Sequence, residues 1–286
     1  MTFIGTGLNA LKATVETGLG DLTSSRADDP LDERDPAYID ATVELYDALL
    51  QPYFRPKVKG LENIPADGPV LLVGNHSGGT LIADTFVFAF SFIRHFGTDR
   101  LFHQLVHDMA VGLPLAGRGL RKYGGMPASH DNAERALERG AAVLVYPGGD
   151  WETYRPSWRQ AEIDFGGRRG FLRLARKMEV PIVPVVSIGG QETALFLTRG
   201  QRLAKATGFD RLTRIKVMPF QIAPPFGLTM LDLPTRIPLP AQITVEVLPP
   251  IDLDDIDGKS AYDHVTGVMQ DALSDLADDR TVPILG

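Results

Sequence analysis

A histidine and a serine follow a short apolar run in the first third of the chain and are the residues best suited to chemistry. The run covers residues 70–73, and His76, Ser77, Gly78 and Gly79 come shortly after it. Histidine, with an ordinary pKa of ~6.5, exchanges protons at neutral pH, and serine is a common nucleophile. Because an apolar helical pattern starts a few residues later, the segment predicts a strand-to-helix turn, where α/β folds present reactive groups.

The letters G-N-H-S-G at residues 74–78 resemble the G-x-S-x-G turn of hydrolases, but with a different central residue. His76 takes the place of the nucleophilic serine, and Ser77 stands one position late. This offset favours a base at the tip of the turn over a serine nucleophile. The alternative is a glycine-rich turn whose histidine has no chemical role, because short motifs often match by chance.

The composition narrows the classes of function. The chain of 286 residues has no cysteine, which excludes disulfides, thiolate metal sites and a cysteine acyl-enzyme. Its longest apolar helical stretch, residues 81–93, is shorter than the ~20 residues that cross a bilayer and contains Asp84. The first fifteen residues lack the features of a secretory signal. We therefore expect a protein that does not span a membrane.

Charge is unevenly distributed along this acidic chain. The net charge is −7, yet residues 153–216 hold thirteen Arg and Lys against five Asp and Glu. Such a basic region meets either an anionic lipid surface or a charged ligand, or else consists of solvated helix faces. Arg168, Arg169 and Arg173 are candidates for the phosphates of a ligand on the first interpretation and surface residues on the second.

Segments of strand and helix character alternate along the chain. Strands are predicted over residues 70–73, 101–106, 141–146, 182–187, 215–222 and 243–248. Helices are predicted over residues 36–50, 81–96, part of 109–122, 131–138, 170–178, 193–206 and 260–276. The phenylalanines of the 81–96 helix are expected to be core residues rather than the lining of an alkyl pocket.

This alternation predicts the α/β class, a single domain with a mainly parallel central sheet flanked by helices and a helical N-terminal segment. Residues 1–34 are assigned to an N-terminal arm, either a membrane-surface helix or a frayed segment, and residues 35–286 to the α/β domain.

Four sequence blocks, in their order, resemble the glycerolipid (lysophospholipid-type) acyltransferase superfamily and its monoacylglycerol/diacylglycerol acyltransferase-like branch. They are V-L-L-V-G-N-H-S-G-G at 70–79, Y-G-G-M-P-A-S at 123–129, V-L-V-Y-P-G-G-D-W-E at 143–152 and V-P-I-V-P-V-V at 180–186. The ordered set, within a resemblance over roughly residues 45–275, is more specific than any single block.

The resemblance implies transfer of a fatty acyl group from acyl-CoA to a lipid alcohol, with His76 as the general base. Most members of the family orient this histidine with an aspartate five positions later, but that position is Leu81 here. Asp84 is the nearest substitute, Glu152 is the other contender and Asp150 is a weaker one. Each of these carboxylates has an alternative role in structure or capping.

The third block departs from the family pattern as well. Phosphate-using members carry a Glu-Gly-Thr-Arg type block whose arginine meets the phosphate of the acceptor, whereas this chain continues from Pro147 to Glu152 as P-G-G-D-W-E. A carboxylate in place of a cation disfavours a small phosphorylated acceptor. A partial glyceride, a fatty alcohol, or a lysophospholipid whose head group lies elsewhere is compatible with it.

Acyl transfer also needs donors for the tetrahedral oxyanion. The candidates are the backbone N–H groups of two glycine-rich turns, namely Ser77, Gly78 and Gly79 in the first and Pro147, Gly148 and Gly149 in the second. We expect no metal, no cofactor other than acyl-CoA as co-substrate, and no nucleic-acid partner. His103, His107 and His130 have no metal-like companions and are interpreted as structural or surface residues.

The partners expected are acyl-CoA and a lipid acceptor, with peripheral contact at the cytoplasmic face of a membrane. Two alternatives remain open. An esterase or thioesterase would use the same base with water in place of the alcohol. A catalytically inactive lipid-binding module would account for the altered spacing between histidine and aspartate.

Overall fold

The computed structural model describes residues 27–113, 116–209, 211, 216–232, 235–254, 256–257 and 260–280. Ten strands lie in this part of the chain: β1 Lys57–Lys59, β2 Val70–Gly74, β3 Phe102–Val106, β4 Gly125–Pro127, β5 Ala142–Val145, β6 Ile182–Ile188, β7 Leu195–Thr198, β8 Phe220–Ala223, β9 Gly227–Met230 and β10 Thr244–Val247. Seven of them form the central sheet, in the order β1-β10-β6-β2-β5-β3-β4.

The centre of this sheet is parallel. Strands β6, β2, β5, β3 and β4 run in one direction, while β10 runs antiparallel to β6 and parallel to β1. Every residue of β2, β5 and β6 is buried, as expected of parallel strands whose two faces are both covered. The predicted α/β fold with a mainly parallel sheet is therefore confirmed.

Helices cover both faces of the sheet. The described helices are α1 Pro36–Phe54, α2 Ala83–Phe96, α3 Asp108–Gly112, α4 Ala116–Lys122, α5 His130–Glu138, α6 Gly149–Thr153, α7 Gly170–Met178, α8 Gln201–Thr207 and α9 Ala261–Asp278. One core packs α5, α7 and α9 on the sheet, and a second packs α2 on the opposite face, with α1 outside it. Phe88 and Phe92 of α2 are fully buried, so the core assignment of the phenylalanine helix is confirmed.

Part of the segment assigned to an N-terminal arm, residues 1–34, is described by the structure. Residues 1–26 lie outside the described residues, but a short 3-10 helix at Pro30–Glu33 packs on the domain. Leu31 is 4% exposed within the first core, and Asp29 caps this helix and pairs with Arg135 and Arg139. The α/β domain therefore includes residues before 35.

Two helix predictions are also corrected. Helix α1 does not end at Leu50, as predicted, but continues through Pro52 to Phe54, and Arg55 then adopts a left-handed conformation. The helix predicted over residues 193–206 begins only at Gln201, because β7 occupies residues 195–198. The apolar residues of that stretch serve a strand rather than a helix face.

A second sheet was not predicted from the sequence. It consists of β7, β8 and β9 in antiparallel register. Of the strand predicted over residues 215–222, Ile215 lies outside the described residues and β8 begins at Phe220. In the described part of the chain no helix combines the length and the apolar content that a bilayer crossing requires.

Candidate active site

The ring of His76 lies at the carboxyl ends of two neighbouring strands. His76 follows β2 by two residues, and Tyr146 comes directly after β5. The two rings stack with their centroids 4.2 Å apart and their planes 14° apart. Gly74 leaves room for Tyr146, since a Cβ at that position would lie 2.5 Å from its Cε1. The side chain of His76 remains 13% exposed.

Asp84, on the first turn of α2, is the carboxylate beside this ring. Its Oδ2 lies 3.5 Å from Nδ1 of His76 and accepts hydrogen bonds from the backbone N–H and the Oγ of Ser77, at 2.8 and 3.0 Å. The N–H of Thr85 donates to Oδ1 at 2.7 Å. Asp84 is 1% exposed. Burial alone would raise its pKa, but His76 and these donors together lower the pKa and keep the carboxylate ionised.

The eight-position spacing is accommodated by one turn of 3-10 helix. Gly79–Leu81 forms this turn. Its three residues equal the difference between the eight-position spacing from His76 to Asp84 and the five-position spacing of the family that the chain resembles. Ile82 then adopts a left-handed conformation, with φ of 36°, before α2 begins. The longer connection thus returns Asp84 to the histidine.

Glu152 supports the backbone of the histidine rather than its ring. Its Oε2 accepts the backbone N–H of His76 at 3.0 Å, and its Oε1 accepts that of Asp164 at 3.2 Å. Burial raises the pKa of Glu152, and the neighbouring Arg155 opposes this rise. Asp150 pairs instead with Arg168, at 2.9 Å. Of the three carboxylates expected near the ring, the structure brings only Asp84 to it.

Arg155 was missed by the sequence interpretation of the third block. Its Nη1 lies 3.0 Å from Oε1 of Glu152, and both side chains are essentially fully buried. A cation therefore does follow the block, three positions after Glu152, and it is paired inside the protein. The available sequence signal was the spacing of Glu152 and Arg155, which equals that of Glu and Arg in the Glu-Gly-Thr-Arg type block.

The predicted oxyanion donors differ in their availability. The N–H groups of Ser77 and Gly78 donate to Asp84 and to Oε1 of Gln191, the second at 2.9 Å. The N–H of Gly149 donates to the carbonyl of Tyr146. Three of the expected donors are therefore engaged within the protein. Pro147 has no N–H. The N–H groups of Gly79 and Gly148 have no partner among the described residues.

A buried ion pair from the second half of the chain holds the turn that follows His76. Nη2 of Arg236 donates to the carbonyl of Gly78 at 2.7 Å, and Nε donates to Asp232 at 2.7 Å. Asp232 in turn accepts the N–H of Thr80 at 2.5 Å. A Cβ on Gly79 would lie 2.1 Å from Oδ2 of Asp232, so the turn and the ion pair fit closely. No local sequence signal identifies these two residues.

Other polar groups considered in the sequence lie away from the ring. Arg168 donates to the carbonyls of Pro147 and Gly148, at 3.2 and 2.6 Å, and so holds the turn after β5. Arg169 lies over the ring of Tyr262, at 4.9 Å. Two surface depressions, of about 560 and 210 Å³, lie elsewhere on the molecule, the second lined in part by His130, Arg173 and Lys177.

Known proteins resemble this chain in sequence and in fold. Residues 55–188 match the family model described as Acyltransferase. An uncharacterized protein of Mycobacterium tuberculosis is 32% identical over 227 residues, which are 77% of this chain and 61% of that protein. Phytyl ester synthase 2 of Arabidopsis thaliana is 30% identical over 135 residues, 46% of this chain and 19% of the plant protein. The chain thus spans less than two thirds of these relatives.

Among solved structures, the fold resembles that of the 1-acyl-sn-glycerophosphate acyltransferase PlsC from Thermotoga maritima. The TM-score is 0.54, at 15% identity, and the match covers 98% of this chain and 97% of that one. At this identity the similarity concerns the fold.

Proposed function

We propose that this chain, whose residues 55–188 match the family model described as Acyltransferase, is a glycerolipid acyltransferase that transfers a fatty acyl group from acyl-CoA to a lipid alcohol. The observation that carries the proposal is the contact between Nδ1 of His76 and Asp84 at the carboxyl edge of the sheet. Nδ1 is buried and makes no hydrogen bond to a described residue, so its neighbour is the Asp84 carboxylate at an ion-pair distance of 3.5 Å. An ionised carboxylate beside Nδ1 favours a proton there and leaves the lone pair on Nε2.

In the proposed reaction Nε2 of His76 removes the proton of the acceptor hydroxyl while the alkoxide oxygen attacks the thioester carbonyl carbon. The tetrahedral oxyanion then collapses, the carbon–sulfur bond breaks, and the imidazolium returns its proton to the departing thiolate. The products are an ester and coenzyme A. Asp84 stabilises the imidazolium between these steps because its negative charge lies 3.5 Å from Nδ1.

Ser77 is assigned a positioning role. Both its N–H and its Oγ donate to the same oxygen of Asp84, so the hydroxyl is directed towards the carboxylate rather than held as a nucleophile beside a base. Glu152 is likewise a positioning residue, since it holds the backbone of His76. We assign the oxyanion to the N–H groups of Gly79 and Gly148, because these two groups donate to no described residue.

A neutral lipid alcohol is the acceptor that we favour. Arg155, the cation that follows the third block, is 1% exposed and pairs with Glu152, so it offers no free charge to a phosphate group. The plant relative is named for a phytyl ester, which is an ester of a long-chain alcohol. A partial glyceride or a fatty alcohol has the same chemistry at its hydroxyl. Such acceptors lie in membranes, and we place the protein peripherally at the cytoplasmic face.

Purified protein with an acyl-CoA and a panel of acceptors tests the proposal. The chain contains no cysteine, so thiol reagents report only the released coenzyme A. We expect thiol release that depends on a partial glyceride or a fatty alcohol, together with the matching ester in mass spectra. His76→Ala should lower the rate about 10²–10⁴-fold while the protein stays folded.

Other results would contradict the proposal in identifiable ways. Thiol release at the same rate without an acceptor would identify a thioesterase. Ester formation unchanged in His76→Ala would assign the base elsewhere. Absence of turnover with every donor and acceptor, in protein that still binds lipid, would indicate the inactive module.

A further inference from the structure

The outer face of the second sheet is apolar and exposed. Leu195 of β7 lies opposite Ile222 of β8, which lies opposite Leu228 of β9. Met230 follows two positions after Leu228 and therefore points to the same side. These four side chains are 44, 41, 63 and 49% exposed. They form a continuous patch across three strands, unlike the single exposed hydrophobic residues that are common on protein surfaces.

The inner face of the same sheet contacts the candidate active site. Phe196 and Gln221 alternate with the exposed positions and are buried. Phe196 lies within 3.0 Å of where a Cβ on Gly79 would stand, and Gln221 donates to Asp232 at 2.6 Å. In an antiparallel sheet with one buried face, the outer positions are usually polar, but here they are apolar. The inner face of the sheet therefore contacts the turn after His76, while its outer face is an exposed apolar surface.

The segment of the chain that carries this patch is rich in positive charge. Residues 195–231 contain six Arg and Lys against one Asp, in a chain whose net charge is −7. Arg202 and Lys205 on α8, together with Arg211 and Lys216, are exposed and make no ion pair with a described residue. Exposed apolar side chains in a segment with exposed cations complement a bilayer that contains anionic lipids.

An exposed tryptophan extends the patch at its β7 edge. Trp158 is 68% exposed, in the 3-10 turn Ser157–Arg159. The neighbouring Ser157 joins this turn to β7, because its Oγ accepts the N–H of Phe196 at 2.9 Å. Tryptophan is enriched where proteins meet the headgroup region of a bilayer.

We propose that the outer face of the β7-β8-β9 sheet docks on an anionic lipid bilayer. The proposal rests on the proposed function in one respect, that a lipid-soluble acceptor is taken from a membrane. Docking through this face places the turn after His76 one sheet thickness from the lipid headgroups. Apolar contacts of the patch then supply most of the affinity, and the cations favour negatively charged membranes.

Vesicle flotation with the full chain tests this surface. The vesicles consist of phosphatidylcholine alone or of phosphatidylcholine and phosphatidylglycerol in equal amounts. Leu228→Glu on the patch is compared with Leu49→Glu on α1, which makes the same change at 62% exposure. We expect wild type to prefer the anionic vesicles, Leu228→Glu to reduce partitioning about tenfold or more, and Leu49→Glu to leave it unchanged. Arg202→Glu should weaken binding to anionic vesicles only.

Several outcomes would overturn the docking surface. Wild type that fails to float with either vesicle, or equal effects of the two leucine substitutions, would contradict it. A dimer that Leu228→Glu converts to a monomer, measured by light scattering, would assign the face to a second copy of the chain. Failure of the proposed catalysis is separable, because flotation needs no turnover and His76→Ala should float as wild type does. Far-ultraviolet circular dichroism establishes that each variant is folded.

Discussion

Nδ1 of His76 lies 3.5 Å from Oδ2 of Asp84, although seven residues separate the two in the sequence. The intervening Gly79–Leu81 turn brings the carboxylate back to the ring. Oδ2 also accepts two hydrogen bonds from Ser77, so this carboxylate is fixed by the same turn that carries the imidazole. This contact fixes the ring of His76, the proposed general base, against the first turn of α2.

Replacing Asp84 with asparagine should remove most of the acyl transfer. The amide keeps the shape of the side chain but loses the charge that stabilises a protonated imidazole, and its NH₂ group can turn towards Nδ1. We expect a fall in kcat of about 10²–10⁴-fold. Steady-state kinetics measure it, and the melting temperature shows whether the variant is folded. A folded Asp84→Asn enzyme with nearly wild-type kcat would refute the orienting role.

Ser77→Ala should have a much smaller effect. The substitution removes the hydrogen bond from Oγ to Asp84, at 3.0 Å, while both backbone donors of the carboxylate remain. One such bond to a charged group is worth about 1.5–3 kcal/mol, so we expect a decrease in rate of about ten- to one-hundredfold. Initial rates of ester formation are the measurement. A loss of more than about 10⁴-fold would instead point to a serine nucleophile.

Gly79→Ala should destabilise the protein more than Gly208→Ala. Both glycines have positive φ, 64° and 72°, so both alanines carry a backbone cost of about 1–2 kcal/mol. At Gly79 the new methyl group would also meet Asp232, at 2.1 Å, whereas nothing lies within 4 Å at Gly208. We expect an additional loss of about 1–3 kcal/mol at Gly79. Urea unfolding measures the difference. Equal losses of unfolding free energy in the two variants would show that the Asp232–Arg236 pair moves aside without a cost.

Acid should destabilise the fold partly through His103. Burial lowers the pKa of His103 to about 4, and Nδ1 lies 3.2 Å from the carbonyl of Gly124. Its stabilising contribution is full above the unfolded pKa of ~6.5 and is lost as the pH falls towards 4, because only the unfolded chain takes up the proton. This loss amounts to about 3 kcal/mol.

His103→Gln should therefore flatten the pH dependence of unfolding between pH ~6.5 and ~4. His95→Gln, at an exposed position on α2, is the matched control and should leave the slope as in wild type. Denaturant unfolding at a series of pH values measures both. An unchanged slope in His103→Gln would assign the acid sensitivity to other groups.

The main sheet could be predicted because its central strands are continuous apolar runs. Every residue of β2, β5 and β6 is buried, which is the pattern that the sequence displays. Strand β1, Lys57–Lys59, has only three residues and exposes both lysines, so it carries no apolar signal of its own. Strand β7 lies in a segment whose apolar spacing also suits a helix. Short edge strands depend on their partners, which a local pattern cannot supply.

The site shows the same division between local and distant information. The turn at His76 was recognised from adjacent residues, and its catalytic role stays a prediction. The choice of Asp84 over Glu152 depends on a 3-10 turn and on a left-handed residue at Ile82, a conformation that isoleucine rarely adopts. Arg236 reaches the carbonyl of Gly78 from 158 positions away, so no spacing rule could have indicated it.

The place of β10 in the sheet has a consequence for biosynthesis. Among the described strands, β1 pairs with β10 alone, and β10 lies between β1 and β6. During translation β1 can therefore pair only after Thr244–Val247 has been synthesised, which is long after residues 55–188 have emerged. Until then the edge of β6 stays unpaired and open to association with other nascent chains, so the synthesis of residues 189–243 is an interval in which this protein is exposed to misassembly.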